Sequence, residues 1–349
     1  MSGCDIGPRE LALHKTMAAI HGAACAASIA AAAVRVALEV QAAALAVFVG
    51  LGHGRSYRQK HRMTINAKFD YMKLVIDSNC LQSDELRTFL QKSNNNFAVL
   101  TDFAAMEAYK EDTLTVIYKS MEIVSKYPKQ VLILKGSAKV CGMNGKPKGL
   151  QRRLIDDAET KDFPRYIKAL ARGRNGDLRI QQGLRSRRLY SQAHFDKMLN
   201  DATDMKPVFD TLAKLYSKEE RKIIRDSQPY TSGMIEKLGT TLIEMSGSIF
   251  RSSPLVRRIP TFEELPNTFL FRAALCCYLM AIRRGALGGL SDAKPERLRN
   301  DMVDMAFVAY GTYFDGILSK DRNVNRMYQD ACIMLAGLFN AEVPSLAGF

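Results

Sequence analysis

The chain has 349 residues, of which 47% are hydrophobic and 25% charged, as is ordinary for a globular protein with a sizeable core. Its 50 Lys and Arg against 36 Asp and Glu give a net charge of +14, which favours an anionic partner such as nucleic acid, although a merely basic, solvated surface has the same composition. The seven cysteines form no C-x-x-C pair and four of the five histidines lie in the first 61 residues, which argues against a zinc site or a histidine-based nucleophile and favours reduced thiols in the cytoplasm.

Residues 1–71 differ in kind from the rest of the chain, because Ala and Val dominate residues 17–52, where Arg35 and Glu39 are the only charges. Three interpretations remain open: a weak membrane anchor or signal-like segment, an Ala-rich surface helix or hairpin, and an upstream extension that the working protein does not need. The two charges divide the stretch into short uncharged parts, so membrane anchoring is the minor interpretation. We favour a dispensable extension because Met72 stands directly before the first predicted strand.

From Met72 onward, short apolar runs alternate with helical patterns, which predicts a parallel sheet with helical crossovers. Strands are predicted at 73–77, 97–102, 131–134 and 316–319. Helices are predicted at 82–92, 103–126, 193–250, 295–312 and 323–339. Ser83 and Asp84 are candidate caps of the first helix, and Pro207 and Pro229 are predicted to break the third.

The middle of the chain is strongly basic and has few strand signals. Residues 135–188 carry 15 Lys or Arg against 5 Asp or Glu, with Phe163, Tyr166 and Tyr190 nearby. Such a stretch is typical of a nucleic-acid-binding surface, on which cations contact phosphates and aromatic rings stack on unpaired bases. The residues predicted to bind nucleic acid are Lys146, Lys148, Arg152, Arg153, Arg172, Arg174, Arg185, Arg187 and Arg188. The alternative is a solvated helical insertion.

Acidic residues follow two of the predicted strands. Asp77 ends the first strand, with Asn79 two positions later, and Asp321 comes two positions after Ser319 in the last strand. Sites in α/β proteins lie beyond the carboxyl ends of parallel strands. Several carboxylates converging there, with no His or Cys ligand, suit Mg²⁺ or Mn²⁺, and these cations suit phosphate chemistry.

Four motifs, taken in order, give the chain from Met72 onward a resemblance to the PIN-domain nucleases. They are Val75-Ile76-Asp77-Ser78-Asn79, then Val99-Leu100-Thr101-Asp102 followed by Glu107, then Asn300-Asp301-Met302-Val303-Asp304 followed by Ala309-Tyr310, and last Ile317-Leu318-Ser319-Lys320-Asp321. The resemblance covers about residues 72–135 and 295–335. It implies an α/β/α sandwich with a parallel central sheet, interrupted by a basic helical insertion.

The same resemblance implies a nuclease that hydrolyses phosphodiester bonds, in RNA rather than DNA, by two-metal-ion catalysis with Mg²⁺ or Mn²⁺. The implied catalytic and metal-binding carboxylates are those of Asp77, Glu107, Asp304 and Asp321. Asp301 lies one helical turn before Asp304, so either or both are candidates to reach the metal. We expect Asn79 to orient Asp77 and Ser319 to orient Asp321 as hydrogen-bonding partners.

Each of these carboxylates also has a structural interpretation. Asp77 is placed to form a strand-end turn, and Asp301 or Asp304 to interact with a helix dipole. Glu107 is either a solvated helix residue or a partner of the helix dipole. Asp315 begins the last strand as a turn former, and Asp102 is ambiguous in the same way as Asp77. The functional alternatives are a structure-specific DNA nuclease at the same site and a non-catalytic nucleic-acid-binding module.

The predicted organisation has four parts. Residues 1–71 form the extension, 72–135 and 256–349 the two halves of the PIN-like core, and 136–255 the basic, mainly helical insertion. We expect this insertion to lie over the acidic edge of the sheet. The apolar stretch from Leu275 to Ile282 is either core or a dimer interface; an inhibitor protein or a second copy of the chain are further candidate partners, and a membrane is not expected.

Overall fold

A computed structural model describes residues 72–109, 114–288 and 294–344 of the chain. The interpretations offered for residues 1–71, including the Ala-rich stretch at 17–52, lie outside these ranges. In the described ranges, no helix is long and apolar enough to cross a membrane.

Four short strands form a parallel sheet in the order β3-β2-β1-β4. The strands are β1 Lys73–Ile76, β2 Phe97–Leu100, β3 Val131–Ile133 and β4 Gly316–Leu318. Val75 of β1 pairs with Val99 of β2 on one side and with Ile317 of β4 on the other. The prediction of an α/β protein with a parallel sheet is therefore confirmed.

The strand order reverses at β1. The chain moves outward from β1 through β2 to β3, and much later returns to place β4 on the opposite side of β1. The connections on the two sides of β1 therefore run in opposite directions, which leaves a crevice between β1 and β4. Open α/β sheets place their sites in the crevice at such a switch point.

Twelve helices, together with two single 3₁₀ turns, surround this sheet in the described ranges. They are α1 Asp84–Lys92, α2 Asp102–Ala108, α3 Leu114–Lys126, α4 Ser137–Cys141, α5 Leu150–Leu154, α6 Asp157–Arg174, α7 Leu178–Lys214, α8 Lys218–Arg225, α9 Ser232–Ser252, α10 Phe269–Ala286, α11 Pro295–Gly311 and α12 Arg322–Phe339. The turns are Ser78–Cys80 and Leu265–Asn267. The single helix predicted over residues 103–126 corresponds to α2 and α3, which lie on either side of residues 110–113.

The first helix begins as its sequence predicts. Ser83 is the N-cap of α1, and its hydroxyl accepts from the backbone N–H of Leu86 at 3.3 Å. Asp84 is the first residue inside the helix and does not cap it, although its charge suits the amino end of the helix dipole.

Pro207 does not break the helix in which it lies, so that prediction is wrong. Helix α7 runs without interruption from Leu178 to Lys214, whereas Pro229 does fall between α8 and α9. Pro207 is exposed, but its neighbours Val208 and Phe209 are buried. Tertiary packing of that buried face outweighs the loss of one helical hydrogen bond.

Helices cover both faces of the sheet, because alternate residues of the strands join two different apolar clusters. Val75 and Val99 pack in the larger cluster, with residues of α7, α10 and α11. Leu74 and Ile76 pack in the smaller cluster, with residues of α1, α3 and α6. The carboxyl edge of the sheet is thus left between two packed layers.

The helical middle of the chain contributes to the main core. Phe195, Met198 and Phe209 of α7 are buried in the same cluster as Val75 of β1. Helix α10 is buried along the stretch from Leu275 to Ile282, so these residues are core and do not form an exposed dimer interface.

Candidate functional site

The candidate site lies beyond the carboxyl ends of β1 and β4, at the switch point. Asp77 follows β1 directly, and its backbone N–H donates to the carbonyl of Leu318 at 3.0 Å, which continues the β1–β4 ladder by one bond. Ser319 follows β4. The register of the two parallel strands therefore brings the side chains of Asp77 and Ser319 together.

Asp77 is a buried carboxylate held by short hydrogen bonds. The Ser319 hydroxyl donates to its Oδ2 at 2.5 Å, and the Asn79 amide donates to the same oxygen at 2.7 Å. The side chain is 3% exposed, and burial raises the pKa of this carboxyl, whereas the hydrogen bonds from Ser319, Asn79 and Ser78 lower it. These bonds fix the orientation of a carboxylate that is otherwise costly to bury charged.

Ser319 orients a different carboxylate from the one predicted. Its hydroxyl donates to Asp77 and accepts from the backbone N–H of Asp321 at 3.1 Å, so the side chain of Asp321 is not its partner. Register explains this, since Ser319 lies level with the residue after β1. The contact between Asn79 and Asp77 is present as the sequence predicts.

Asp304 is the residue whose pKa the other acidic residues influence. This half-buried side chain lies on α11, and burial, followed by the charges of nearby carboxylates, raises its pKa from 3.8 to about 8. The contributing carboxylates, in decreasing order, are those of Asp77, Asp301, Asp321 and Glu107. The other four carboxylates predicted to bind metal therefore all influence the pKa of Asp304.

Asp301 has a partner of its own. The guanidinium of Arg284, at the end of α10, lies 2.5 Å from its carboxylate, and the two residues are 9% and 6% exposed. Burial raises the pKa of Asp301, while Arg284 lowers it. Because Arg284 balances the charge of Asp301, Asp304 is the better placed of the two to bind a cation.

The remaining two carboxylates differ in their surroundings. Glu107 is half-buried in the last turn of α2, which is the wrong end of the helix for a favourable dipole interaction, so that structural interpretation fails. Asp321 is exposed and is the N-cap of α12, where Oδ1 accepts from the backbone N–H groups of Asn323 and Val324 at 2.6 and 3.4 Å. Asp321 therefore has a structural role as well as a place near Asp304.

Two other aspartates are structural. Asp102, the first residue of α2, is buried and accepts from the backbone N–H and the hydroxyl of Ser137 at 2.8 and 2.7 Å, which ties α2 to α4; burial raises its pKa to about 6. Asp315 accepts from the backbone N–H of Lys73 at 2.7 Å, at the amino ends of β4 and β1. Neither residue makes one of the largest contributions to the raised pKa of Asp304.

The donor set fits a hard cation, but the side chains are not drawn together around one. Carboxylate and amide oxygens are the ligands that Mg²⁺ and Mn²⁺ prefer. Across residues 72–109, 114–288 and 294–344, no three acidic, His or Cys side chains lie close enough together to hold a metal ion as they stand. Burial, followed by the like charges of the neighbouring carboxylates, raises the pKa of Asp304, and a bound cation would offset both effects.

The part of the insertion that carries Lys146, Lys148 and Arg152 does not lie over the carboxyl edge of the sheet. Arg152 lines a cavity together with Lys73 and Asp315, and these two residues mark the amino ends of β1 and β4. Lys146 and Lys148 flank Pro147, which lines the same cavity. The expectation that this part of the insertion covers the carboxyl edge is therefore wrong.

Three of the other residues predicted to bind nucleic acid have protein partners or are buried. Arg153 donates to the side-chain oxygen of Asn144 at 2.6 Å, and Arg172 lies 2.5 Å from the carboxylate of Asp177. Arg174 and Arg185 are exposed and Arg188 is half-buried. Arg187 is only 6% exposed and does not lie on the basic surface to which the sequence assigns it.

The spacing of residues along α7 is the sequence signal that could have predicted the burial of Arg187. Arg187 shares the inner face of α7 with Leu184 and Ser191, three and four residues away, and both are buried. Arg284 was missed for a related reason: a cation in the apolar helix α10 needs a carboxylate partner, which only the fold supplies.

Comparisons with models of protein families, with curated proteins and with solved structures find no match to this chain.

Proposed function

We propose that this chain is a PIN-like, divalent-metal-dependent nuclease that hydrolyses phosphodiester bonds in RNA at the carboxylates around Asp304. One observation carries the proposal. At the switch point of a parallel sheet, burial, followed by the charges of four other carboxylates, raises the pKa of Asp304 to about 8. Strongly shifted groups in a crevice are typical of functional sites.

The ligand atoms of the cluster determine which cation suits it. Asp77, Glu107, Asp304 and Asp321 offer only oxygen ligands, which suit Mg²⁺ or Mn²⁺ better than zinc or copper. Bound there, such ions supply the positive charge that activates water and stabilises the leaving oxygen of a phosphodiester.

Each protein group has a defined task. Asp77 is the fixed member, because Ser319 and Asn79 hold its Oδ2 in one orientation. Asp304 is the member whose protonation would respond to a cation: its pKa is raised to about 8, and a bound cation would favour its deprotonated form. Arg284 keeps Asp301 neutralised, which limits the negative charge that the site must balance.

RNA is the substrate implied by the resemblance, and the net charge of +14 supports a polyanion without choosing between RNA and DNA. The competing enzyme is a structure-specific DNA nuclease at the same carboxylates. The competing non-enzyme is a nucleic-acid-binding module in which these carboxylates stabilise the fold alone.

Cleavage of labelled RNA and single-stranded DNA by the purified chain tests the proposal, with Mn²⁺, with Mg²⁺ and with EDTA. Asp77→Asn and Asp304→Asn should each lower the metal-dependent rate by more than about 100-fold, since loss of partners outside the ligand set alone costs 10–100-fold. Glu296→Gln is the matched control, because Glu296 is an exposed carboxylate in the first turn of the same helix α11.

The outcomes separate the candidates. RNA cleavage that needs metal and both aspartates supports the proposal, and cleavage of DNA alone favours the competing enzyme. Binding without cleavage under every metal condition favours the non-catalytic module. Cleavage that persists in EDTA or in Asp304→Asn contradicts the assigned site.

A further inference from the structure

A separate cavity of about 110 Å³ lies beyond the carboxyl ends of β2 and β3. Its walls are largely apolar and include the side chains of Leu100, Met121, Phe163 and Tyr166. Engineered apolar cavities of about 150 Å³ admit benzene. A somewhat smaller cavity that opens to solvent therefore has room for one planar six-membered ring and not for a fused pair of rings.

Both positively and negatively charged groups line the cavity. The guanidinium of Arg187 lies over the ring of Tyr166, 5.5 Å from its centre, and donates to the Tyr109 hydroxyl at 3.5 Å. Two carboxylates, those of Glu159 and Asp162, line the cavity from α6, where Asp162 also pairs with Arg165 at 3.0 Å. Asp102, at the start of α2, lines the cavity as a third carboxylate. A ligand therefore meets one cation, three carboxylates and aromatic surface.

The cavity borders the carboxylate site. Leu81, in its wall, directly follows the turn that carries Asn79, and that turn begins at Asp77. Tyr109, also in the wall, directly follows α2, the helix that carries Glu107. A group bound in the cavity thus lies next to the turn and the helix that position two of the carboxylates.

We infer that this cavity binds one unpaired cytosine base of the substrate strand, an assignment that rests on the proposed nuclease function. The size of the cavity selects a pyrimidine over a purine. Aromatic walls favour a flat ring that stacks. The excess of carboxylates disfavours an anionic ligand, so the ring itself, and not a phosphate, is the group that enters.

Hydrogen bonding distinguishes cytosine from uracil. Cytosine presents an amino group, which Asp or Glu accepts from in nucleic-acid recognition, together with oxygen and nitrogen acceptors for a guanidinium. Uracil presents a carbonyl in place of that amino group, and this oxygen would face a carboxylate. Glu159 and Arg187 therefore provide complementary partners for cytosine alone of the two pyrimidines.

The test is binding of fluorescently labelled short oligocytidylate and oligouridylate to the full chain in EDTA, followed by anisotropy. Contacts with phosphates are the same for both strands, so they cancel in the ratio of affinities. We expect oligocytidylate to bind roughly tenfold more tightly, the order of discrimination that one good base contact gives.

Ala105→Leu fills the cavity from α2 and should abolish the preference. Ala171→Leu, at an exposed position of α6, is the matched control and should retain it. Glu159→Gln is a second variant that keeps the shape of the side chain and should reduce the preference. Equal affinity for the two strands, or a preference that survives both Ala105→Leu and Glu159→Gln, overturns the inference.

Failure of this inference can be told apart from failure of the proposed function. Metal-dependent cleavage with equal binding of the two strands removes the base site and leaves the nuclease. A preference for oligocytidylate that Ala105→Leu abolishes, with no cleavage under any metal condition, keeps the base site and removes the nuclease.

Discussion

At the scale of single residues, Asp77 is a buried carboxylate whose charged form is favoured by its hydrogen-bond donors. Burial alone would favour its protonated form, and donors from Ser319 and Asn79 oppose that tendency. The contact from Asn79 follows from local sequence, two residues away. The contact from Ser319 crosses 242 positions of the chain and depends on the β1–β4 register, which motif spacing does not contain.

Ser319→Ala should weaken Mn²⁺ binding by about 10–100-fold, because Asp77 loses the donor that orients it. The free energy of unfolding should change by only about 0.5–1.5 kcal/mol, the ordinary contribution of one hydrogen bond. Thermal unfolding with increasing Mn²⁺ measures both quantities. Ser252→Ala, which removes a hydroxyl bonded within α9, should behave as the wild type, and an equal loss of affinity in that variant would contradict the assignment.

Asp304 should make the metal-free protein less stable as pH rises. Its pKa in the folded chain, about 8, is above the ordinary value of 3.8, so the folded state binds more protons than the unfolded state between these values. Stability contributed by this proton is complete below about pH 4 and is lost as pH rises through about 8.

Asp304→Asn should therefore be more stable than the wild type in EDTA at pH 8, by an amount on the order of 2–5 kcal/mol that shrinks towards pH 4. Urea unfolding at a series of pH values measures the difference. Glu296→Gln should show no such pH dependence. If the free energies of unfolding of the wild type and Asp304→Asn change with pH in the same way, the crowding of carboxylates around this residue is excluded.

At the scale of elements, the strands were predictable because each is a short apolar run with a clear boundary. Those at 73–77, 97–102, 131–134 and 316–319 contain β1, β2, β3 and β4 respectively. Helix α7 was not predictable in the same way. Pro207 predicts a break from local sequence, whereas burial of Val208 and Phe209 against α10 and α11 sustains the helix.

Pro207→Ala should raise the free energy of unfolding by about 1–3 kcal/mol, because it restores a backbone donor at an exposed position of a helix that is already continuous. Chemical denaturation measures the change. Thr203→Ala, at another exposed position of α7, should alter stability by less than about 0.5 kcal/mol. A destabilised Pro207→Ala would mean that α7 depends on a bend at this residue.

At the scale of the whole molecule, the sequence predicts the sheet and the acidic residues at its edge better than the placement of the middle segment. Asp77 and Asp321 could be assigned to strand ends because motif and strand adjoin. The burial of Arg187, and the pairing of Arg284 with Asp301, depend on which helices meet, and a charge count cannot show that. The burial of α7 in the same apolar cluster as β1 likewise comes from contacts remote in sequence.

Phe209→Ala tests whether that packing joins the helical middle to the sheet. Phe209 is fully buried in the cluster that contains Val75, so truncation should cost about 3–5 kcal/mol and leave a single unfolding transition. Leu189→Ala, on the same helix but with a side chain that is 66% exposed, should change stability little. Two separate transitions would show instead that the middle segment folds as an independent insertion.

Calorimetric titration of Mn²⁺ into metal-free wild type, Asp304→Asn and Glu296→Gln tests most directly whether the converging carboxylates form a cation site. We predict that the wild type and Glu296→Gln bind Mn²⁺ alike, and that Asp304→Asn loses most of that binding. Indistinguishable binding by the wild type and Asp304→Asn, or no binding by the wild type, would contradict the account.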